Sequence, residues 1–135
     1  PIHNQSLKRS NEYASFIIDG VVNNNEVIIN ANVMNNGYIE NLPSNCCVEV
    51  PCVINSKGYS PKKFGKLPEH LSALMRTNIN VQILTAEAAI TKKREHIYHA
   101  ALLDPLTASN LTIDEIYSMI DKMIDAHGNF LPTYH

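Results

Sequence analysis

Apolar side chains recur along this chain with two periods, and the switch between them divides it. Between Tyr13 and Val21 the apolar positions Tyr13, Phe16, Ile17 and Val21 are three or four apart, the spacing of one helix face. Ser10 is suited to cap that helix, which the pattern predicts from Ser10 to Val22. Gly20 is expected to weaken it locally, and Asn23-Asn24-Asn25 to end it. The pattern then changes. Val27 to Val33 is rich in β-branched residues and reads as a strand, followed by a turn at Asn35-Asn36-Gly37 and a second extended piece around Tyr38-Ile39. Leu42 to Asn45 makes another turn. Cys46 to Ile54 is the strongest strand, and Pro51, which lacks an amide donor, predicts a sheet edge or a bulge there. Asn55 to Gly58 reads as a hairpin loop with Gly58 suited to positive φ, and Tyr59 to Phe64 as the returning strand.

Helical spacing resumes after Pro68, which suits a first helical position. Leu71, Leu74, Met75, Ile79, Ile83, Ala86 and Ile90 mark one broad face of a long helix. Lys92-Lys93 predicts a break before a further helix over 95–103, and Asp104-Pro105 its end. Thr112-Ile113-Asp114-Glu115 is a capping box for a last helix from Ile113 to Ala126, striped by Ile116, Met119, Ile120, Met123 and Ile124. The order is helix, small antiparallel sheet, long helix and C-terminal helices, an α+β fold.

The 135 residues, 44% hydrophobic, suffice for one domain with a core. A net charge of -2 provides no basic footprint for nucleic acid, and no run of about 18 apolar residues offers a membrane span. No basic-then-apolar start suggests a secretory signal, and a start at Pro1 rather than Met fits a truncated or processed product. Cys46, Cys47 and Cys52 are odd in number, and neighbours on a strand point to opposite faces, which makes a disulfide framework poor. Reduced thiols in a cytoplasmic protein are expected.

The residues that carry chemistry stay isolated. His96 and His99 are three apart on a predicted helix, yet two imidazoles do not complete a metal site. The cysteines have neither a helix N-terminus nor a base beside them to make a thiolate, so packing is the expected role. Five glycines form neither a G-x-G-x-x-G nor a phosphate-binding loop. Asn78 and Gln82 share the face of Leu71 and Met75, where amides need partners or line a polar pocket; Arg76 is turned about 160° from Asn78. Ser10, Glu12 and Tyr13 read as a cap, a carboxylate favoured by the helix dipole and a core aromatic.

The stretch Asn35 to Cys52, with its N-x-G-x-I-x-N-L-P and VEVP phrases, resembles the C-terminal region of family 4 glycoside hydrolases, the NAD- and metal-dependent glycosidases. Further phrases follow in order over nearly the whole chain: Arg9 to Ser15, Arg76-Thr77-Asn78-Ile79-Asn80-Val81-Gln82, Glu87-Ala88-Ala89, Tyr98-His99-Ala100-Ala101 and Ala126-His127-Gly128. Together they look like the α-galactosidase branch. The resemblance implies a fold like the C-terminal domain of lactate and malate dehydrogenases. It also implies an enzyme in which NAD oxidises the sugar at C3, a divalent metal, usually manganese, acidifies the C2 hydrogen, and elimination and addition of water follow.

The family's cofactor loop, metal-binding Cys and His, and Tyr base match no position here, so no catalytic, cofactor-binding or metal-binding residue is expected in this chain. It is expected to be inactive alone, lacking the NAD-binding domain, with residues 1–9 a linker and 10–135 the C-terminal domain. By the dehydrogenase analogy Asn11, Glu12 and Tyr13 line the sugar pocket, and Asn78 is a further candidate. An α-galactoside substrate, the missing N-terminal domain and a homo-oligomer are the expected partners, with no nucleic acid and no membrane. Two alternatives stand beside this: α-glucosides, α-glucuronides or 6-phospho-glycosides as substrates, or a non-catalytic interaction domain.

Overall fold

A computed structural model describes residues 12–135, and the fold is α+β. Five helices and three strands follow one another as α1 (Ala14–Asn23), β1 (Val27–Met34), β2 (Cys47–Asn55), β3 (Gly58–Pro61), α2 (Glu69–Thr91), α3 (Arg94–Leu103), α4 (Pro105–Asn110) and α5 (Ile113–His127). A short 3-10 turn, Gly128–Phe130, follows. They form two compact units.

The first unit holds α1 and most of the sheet, whose strand order is β1-β2-β3. Along β2 the side chains alternate, with Val48, Val50, Cys52 and Ile54 buried and Cys47, Glu49 and Pro51 exposed. β2 and β3 pair antiparallel through a two-residue loop, Asn55 opposite Gly58, and Gly58 takes φ 109°. Pro51 is not on an edge strand, because β2 is the middle one. It sits where the β2–β3 ladder runs out: its carbonyl accepts from the Lys62 amide at 2.8 Å, and the reciprocal bond it cannot make is the terminal one.

Helix α1 starts later than its spacing predicts. The proposed cap Ser10 lies outside the described residues; Tyr13 stands at the N-cap without a side-chain cap bond and is 47% exposed, not a core aromatic. Asn24 ends the helix in the left-handed conformation, φ 55°. Gly20 is the buried residue of α1, and a Cβ there would meet the Asn25 carbonyl at 3.0 Å. A close approach of backbone, rather than a weak helix, accounts for this glycine.

The second unit holds the 35–46 loop and α2 to α5. Asn35 organises the loop. Fully buried, it donates from Nδ2 to the carbonyls of Ile39 (2.9 Å), Leu42 (3.1 Å) and Pro43 (3.0 Å), and its Oδ1 accepts from the Ile39 amide at 2.7 Å. Gly37 turns the chain at φ 86°, which buries Ile39 and Leu42. Asn41 then clips onto Leu67, donating to its carbonyl and accepting from its amide, both at 2.9 Å. The Asn-Gly-Ile-Asn-Leu-Pro phrase is thus a self-bonded loop.

The helices follow their caps. Pro68 stands at the N-cap of α2, one position before the predicted one, and Lys92 closes that helix at φ 60°. Thr112 and Glu115 make the reciprocal capping box of α5. Asp104-Pro105 ends α3 and also starts α4, a helix the sequence reading omits: Asp104 accepts from the Thr107 amide at 2.8 Å and Pro105 takes the first turn. Ile79, Ala88, Ala100, Ile116 and Ile120 are buried, whereas Leu71, Leu74, Met75 and Ile90 of the broad α2 face are exposed.

Candidate functional site

The 35–46 loop and the start of α2 enclose an open polar cleft of about 570 Å³, with Glu40, Asn41, Glu69, Ser72 and Arg76 on its walls. Most of its polar groups are already engaged. Both ends of the Asn41 amide bond Leu67, and Ser72 Oγ donates to the Glu69 carbonyl at 3.0 Å. Lys66 Nζ lies 2.6 Å from Glu69 Oε1; this contact lowers the Glu69 carboxyl and raises the Lys66 ammonium from their ordinary values. Arg76 is exposed at its rim. These walls contain no nucleophile hydrogen-bonded to a base, since Ser72 Oγ donates to a backbone carbonyl.

A second cavity, of about 270 Å³, is apolar. Ala88, Ala100, Ile120, Met123, Leu131 and Tyr134 are among the residues that line it. The segment after α5 is pinned where α2 gives way to α3, since the His135 amide donates to the Lys92 carbonyl (2.9 Å) and the Arg94 amide to the His135 carbonyl (2.8 Å).

A polar network missing from the sequence reading joins α3 to α5. Arg94 donates from Nε to Tyr98 Oη and from Nη2 to Asp121 Oδ1, each at 2.7 Å, and the Tyr98 hydroxyl donates to the same Asp121 oxygen. Hydrogen bonds from Tyr98 and Arg94 hold the Asp121 carboxyl below its ordinary value, and the bond to Asp121 raises the Tyr98 hydroxyl. Tyr98 also stacks on Tyr117 at 4.4 Å between ring centres. Arg94 and Tyr98, four apart on a helix, were readable as a pair; Asp121, far along the chain, was not.

The residues singled out from sequence fall as follows. Asn11 lies outside the described residues. Glu12 and Tyr13 are exposed neighbours just before α1, and Asn78 is exposed on α2. The rings of His96 and His99 are 6.5 Å apart. Among the described residues no group of three or more His, Cys, Asp or Glu is placed to hold a metal. All three cysteines are free thiols, Cys46 and Cys52 buried and Cys47 exposed; burial raises the Cys46 thiol above its ordinary value. Among the described residues no helix is long and apolar enough to cross a membrane.

Comparison with known proteins agrees with this fold. Residues 2–107 match the family 4 glycosyl hydrolase C-terminal domain. An α-galactosidase of Bacillus subtilis (strain 168) is 47% identical over 98% of this chain and 31% of its own length. An α-galactosidase of Rhizobium meliloti (strain 1021) is 34% identical over 96% of this chain and 26% of its own length. The crystal structure of a 6-phospho-α-glucosidase from gut microorganisms, in complex with NAD and Mn2+, superposes with a TM-score of 0.79 at 18% identity, over 90% of this chain and 27% of that one. The chain belongs to the family 4 glycosyl hydrolases, matching their C-terminal domain. It spans roughly a third or less of the length of these curated relatives.

The described residues do not by themselves fit the groups bound in that solved relative. The described residues offer no three-ligand cluster, and the sequence has no glycine-rich loop for a pyrophosphate.

Proposed function

We propose that this chain is the C-terminal portion of an NAD- and manganese-dependent α-galactosidase, where it completes the substrate pocket and supplies subunit contacts. The observation that carries this reading is the 47% identity to an α-galactosidase over 98% of the chain but only 31% of that enzyme. A second α-galactosidase, at 34%, supports the same sugar. NAD and manganese enter from the solved relative that binds both. The oxidation, elimination and addition steps need groups this chain does not present, so no step is assigned to its residues, and the chain alone is inactive. Its free thiols suit the reducing cytoplasm.

We assign the sugar contacts to Asn11, Glu12 and Tyr13, the last two of them exposed just before α1. An exposed tyrosine beside an exposed carboxylate suits a galactoside: the ring covers the apolar C–H face and the carboxylate accepts from hydroxyls. Asn78, exposed on α2, is a further candidate for a sugar contact. The longer enzyme carrying this chain, assayed on an aryl α-galactoside with NAD and Mn2+, is expected to lose affinity on Tyr13→Ala, with KM raised about tenfold. An unchanged KM contradicts the pocket assignment. A preference for 6-phospho-α-glucosides over α-galactosides contradicts the substrate.

A further inference from the structure

The chain holds one Asn-Gly pair, Asn36-Gly37, at the tip of the loop that Asn35 organises. The Tyr38 amide donates to the Asn35 carbonyl at 2.7 Å, and φ is positive at both residues between them, 42° at Asn36 and 86° at Gly37. Positive φ at both central positions is the mark of a type I′ turn. Both residues are exposed. The bonds of the turn are made by its flanks, with the Asn36 amide donating to the Ser44 carbonyl at 3.0 Å. Among the described residues no hydrogen bond engages the Asn36 side chain, the Asn36 carbonyl or the Gly37 amide. A Cβ placed on Gly37 would meet no atom within 4 Å. The peptide plane between the two residues can therefore rotate without breaking a bond, into open space.

The other amides and acids that might react alike are held. Asn35 is fully buried and bonded at both ends of its amide, and Asn41 is clipped at both ends to Leu67. Asn24 Oδ1 accepts from the Ser56 hydroxyl at 2.6 Å. Asp19-Gly20 is the acidic counterpart of the pair. Its carboxylate accepts from Asn23 Nδ2 at 2.7 Å and Asn25 Nδ2 at 3.1 Å, and buried Gly20 lies inside α1, where its amide is committed to the helix.

We propose that Asn36 is a modification site, converted without an enzyme through a cyclic imide on Gly37 to aspartate and isoaspartate, and that the isoaspartate form loosens the 35–46 loop. The Gly37 amide gives its proton to a base in the solvent, and its nitrogen bonds Asn36 Cγ. The Cγ–Nδ2 bond breaks, and Nδ2 takes up a proton and leaves as ammonia. Water then opens the ring. Cleavage of the new N–Cγ bond gives aspartate; cleavage of the original peptide bond gives isoaspartate, with the main chain running through Cγ. Either product is one asparagine plus water less ammonia, and each adds one negative charge to the net -2. The aspartate form keeps the backbone. The isoaspartate form lengthens it by the Cβ carbon between the Asn35 carbonyl and the Tyr38 amide, so their 2.7 Å bond cannot persist beside the residue that organises the loop.

The purified chain is held warm at about pH 7 and about pH 8, and its peptides are mapped by mass spectrometry. Conversion is expected at Asn36 ahead of every other described asparagine, about tenfold faster at the higher pH, as the deprotonated amide grows. Its rate is expected to lie within about tenfold of that in a free peptide spanning 33–40, because a peptide plane without bonds opens at little cost. Asn36→Gly keeps the positive φ and is expected to abolish the acidic species. Asn36→Asp supplies the charge on an unchanged backbone and is expected to keep the urea midpoint of the parent. The isoaspartate form, separated chromatographically, is expected to unfold at a lower midpoint than Asn36→Asp. An Asn36 still intact when the free peptide is mostly converted, or conversion spread evenly over the asparagines, overturns the site. An isoaspartate form as stable as Asn36→Asp overturns the loosening.

Discussion

Replacing Asn35 by alanine tests whether the family phrase in this chain is a structural loop. The side chain is fully buried and makes four contacts with backbone: three carbonyls share the two hydrogens of Nδ2, and the Ile39 amide donates to Oδ1. Alanine leaves the Ile39 N–H, itself in the core, without an acceptor, at about 2 kcal/mol. Two of the carbonyls have weaker alternatives, since Ile39 O accepts from Leu42 N at 3.4 Å and Pro43 O from Cys46 N at 3.3 Å. Loss of the two amide hydrogens therefore costs about 1 kcal/mol each. The sum, about 4 kcal/mol, is a large part of the 5–15 kcal/mol that holds a typical domain. Urea unfolding followed by far-UV circular dichroism reads it as a fall in midpoint at unchanged slope. Asn35→Asp keeps the acceptor but sets a carboxylate against carbonyls; its loss at neutral pH is expected to equal or exceed that of alanine and to shrink in acid, when the protonated acid donates again. Exposed Asn36, at φ 42°, is the control: Asn36→Gly is expected to change stability by less than about 1 kcal/mol. An Asn35→Ala protein within about 1 kcal/mol of the parent refutes the loop's dependence on this side chain.

Other consequences are as direct. Gly20→Ala is expected to destabilise by about 1 kcal/mol despite the better helix propensity of alanine, because its Cβ meets the Asn25 carbonyl at 3.0 Å and Val27 Cγ1 at 3.3 Å; a gain in urea midpoint contradicts this. Thr112→Ala, which removes the cap of α5, is expected to cost about 1 kcal/mol by the same assay, and no change contradicts the capping role. A thiol reagent at neutral pH is expected to label Cys47 quickly and Cys46 and Cys52 only after unfolding; three equally fast thiols contradict the burial of two. The Asp104 carboxyl is held below its ordinary value, first by the Thr107 hydroxyl and then by the Thr107 amide. A depressed carboxyl stabilises above its unfolded pKa, and the contribution is lost as pH falls through the folded one. The stability difference between the parent and Asp104→Asn is therefore expected to shrink below about pH 4, and a difference that persists to pH 2 contradicts it.

What could be read from the chain was what neighbours in sequence decide. Thr112 and Glu115 specify the start of α5 without help from the rest of the fold, and the Asn-Gly and Lys-Gly turns specify theirs through positive φ. Packing was the role the sequence suggested for Cys46 and Cys47 alike, whereas Cys46 is buried and Cys47, at the start of β2, is exposed. What depends on neighbours in space was not readable. Pro51 suggested an edge because a missing donor is costly inside a ladder, but the ladder's end, not the strand's place, is what tolerates it. Gly20 suggested weakness because its reason is a carbonyl outside the helix. Asp104-Pro105 was read as a stop alone, although an aspartate before proline caps as readily as it terminates. The apolar face of α2 was legible as a pattern, whereas its exposure was not. For the pocket, the phrases identify the family, and Glu12, Tyr13 and Asn78 are the described candidates with the exposure a sugar contact needs.

Hydrolysis of an aryl α-galactoside with NAD and Mn2+ supplied, measured for the 135-residue chain alone and for the longer enzyme that carries it, tests the central claim most directly. The claim predicts turnover by the longer enzyme that vanishes when either NAD or the metal is removed, and none by the chain alone. Sustained cofactor-dependent turnover by the chain alone, or a longer enzyme inert towards α-galactosides, would contradict it.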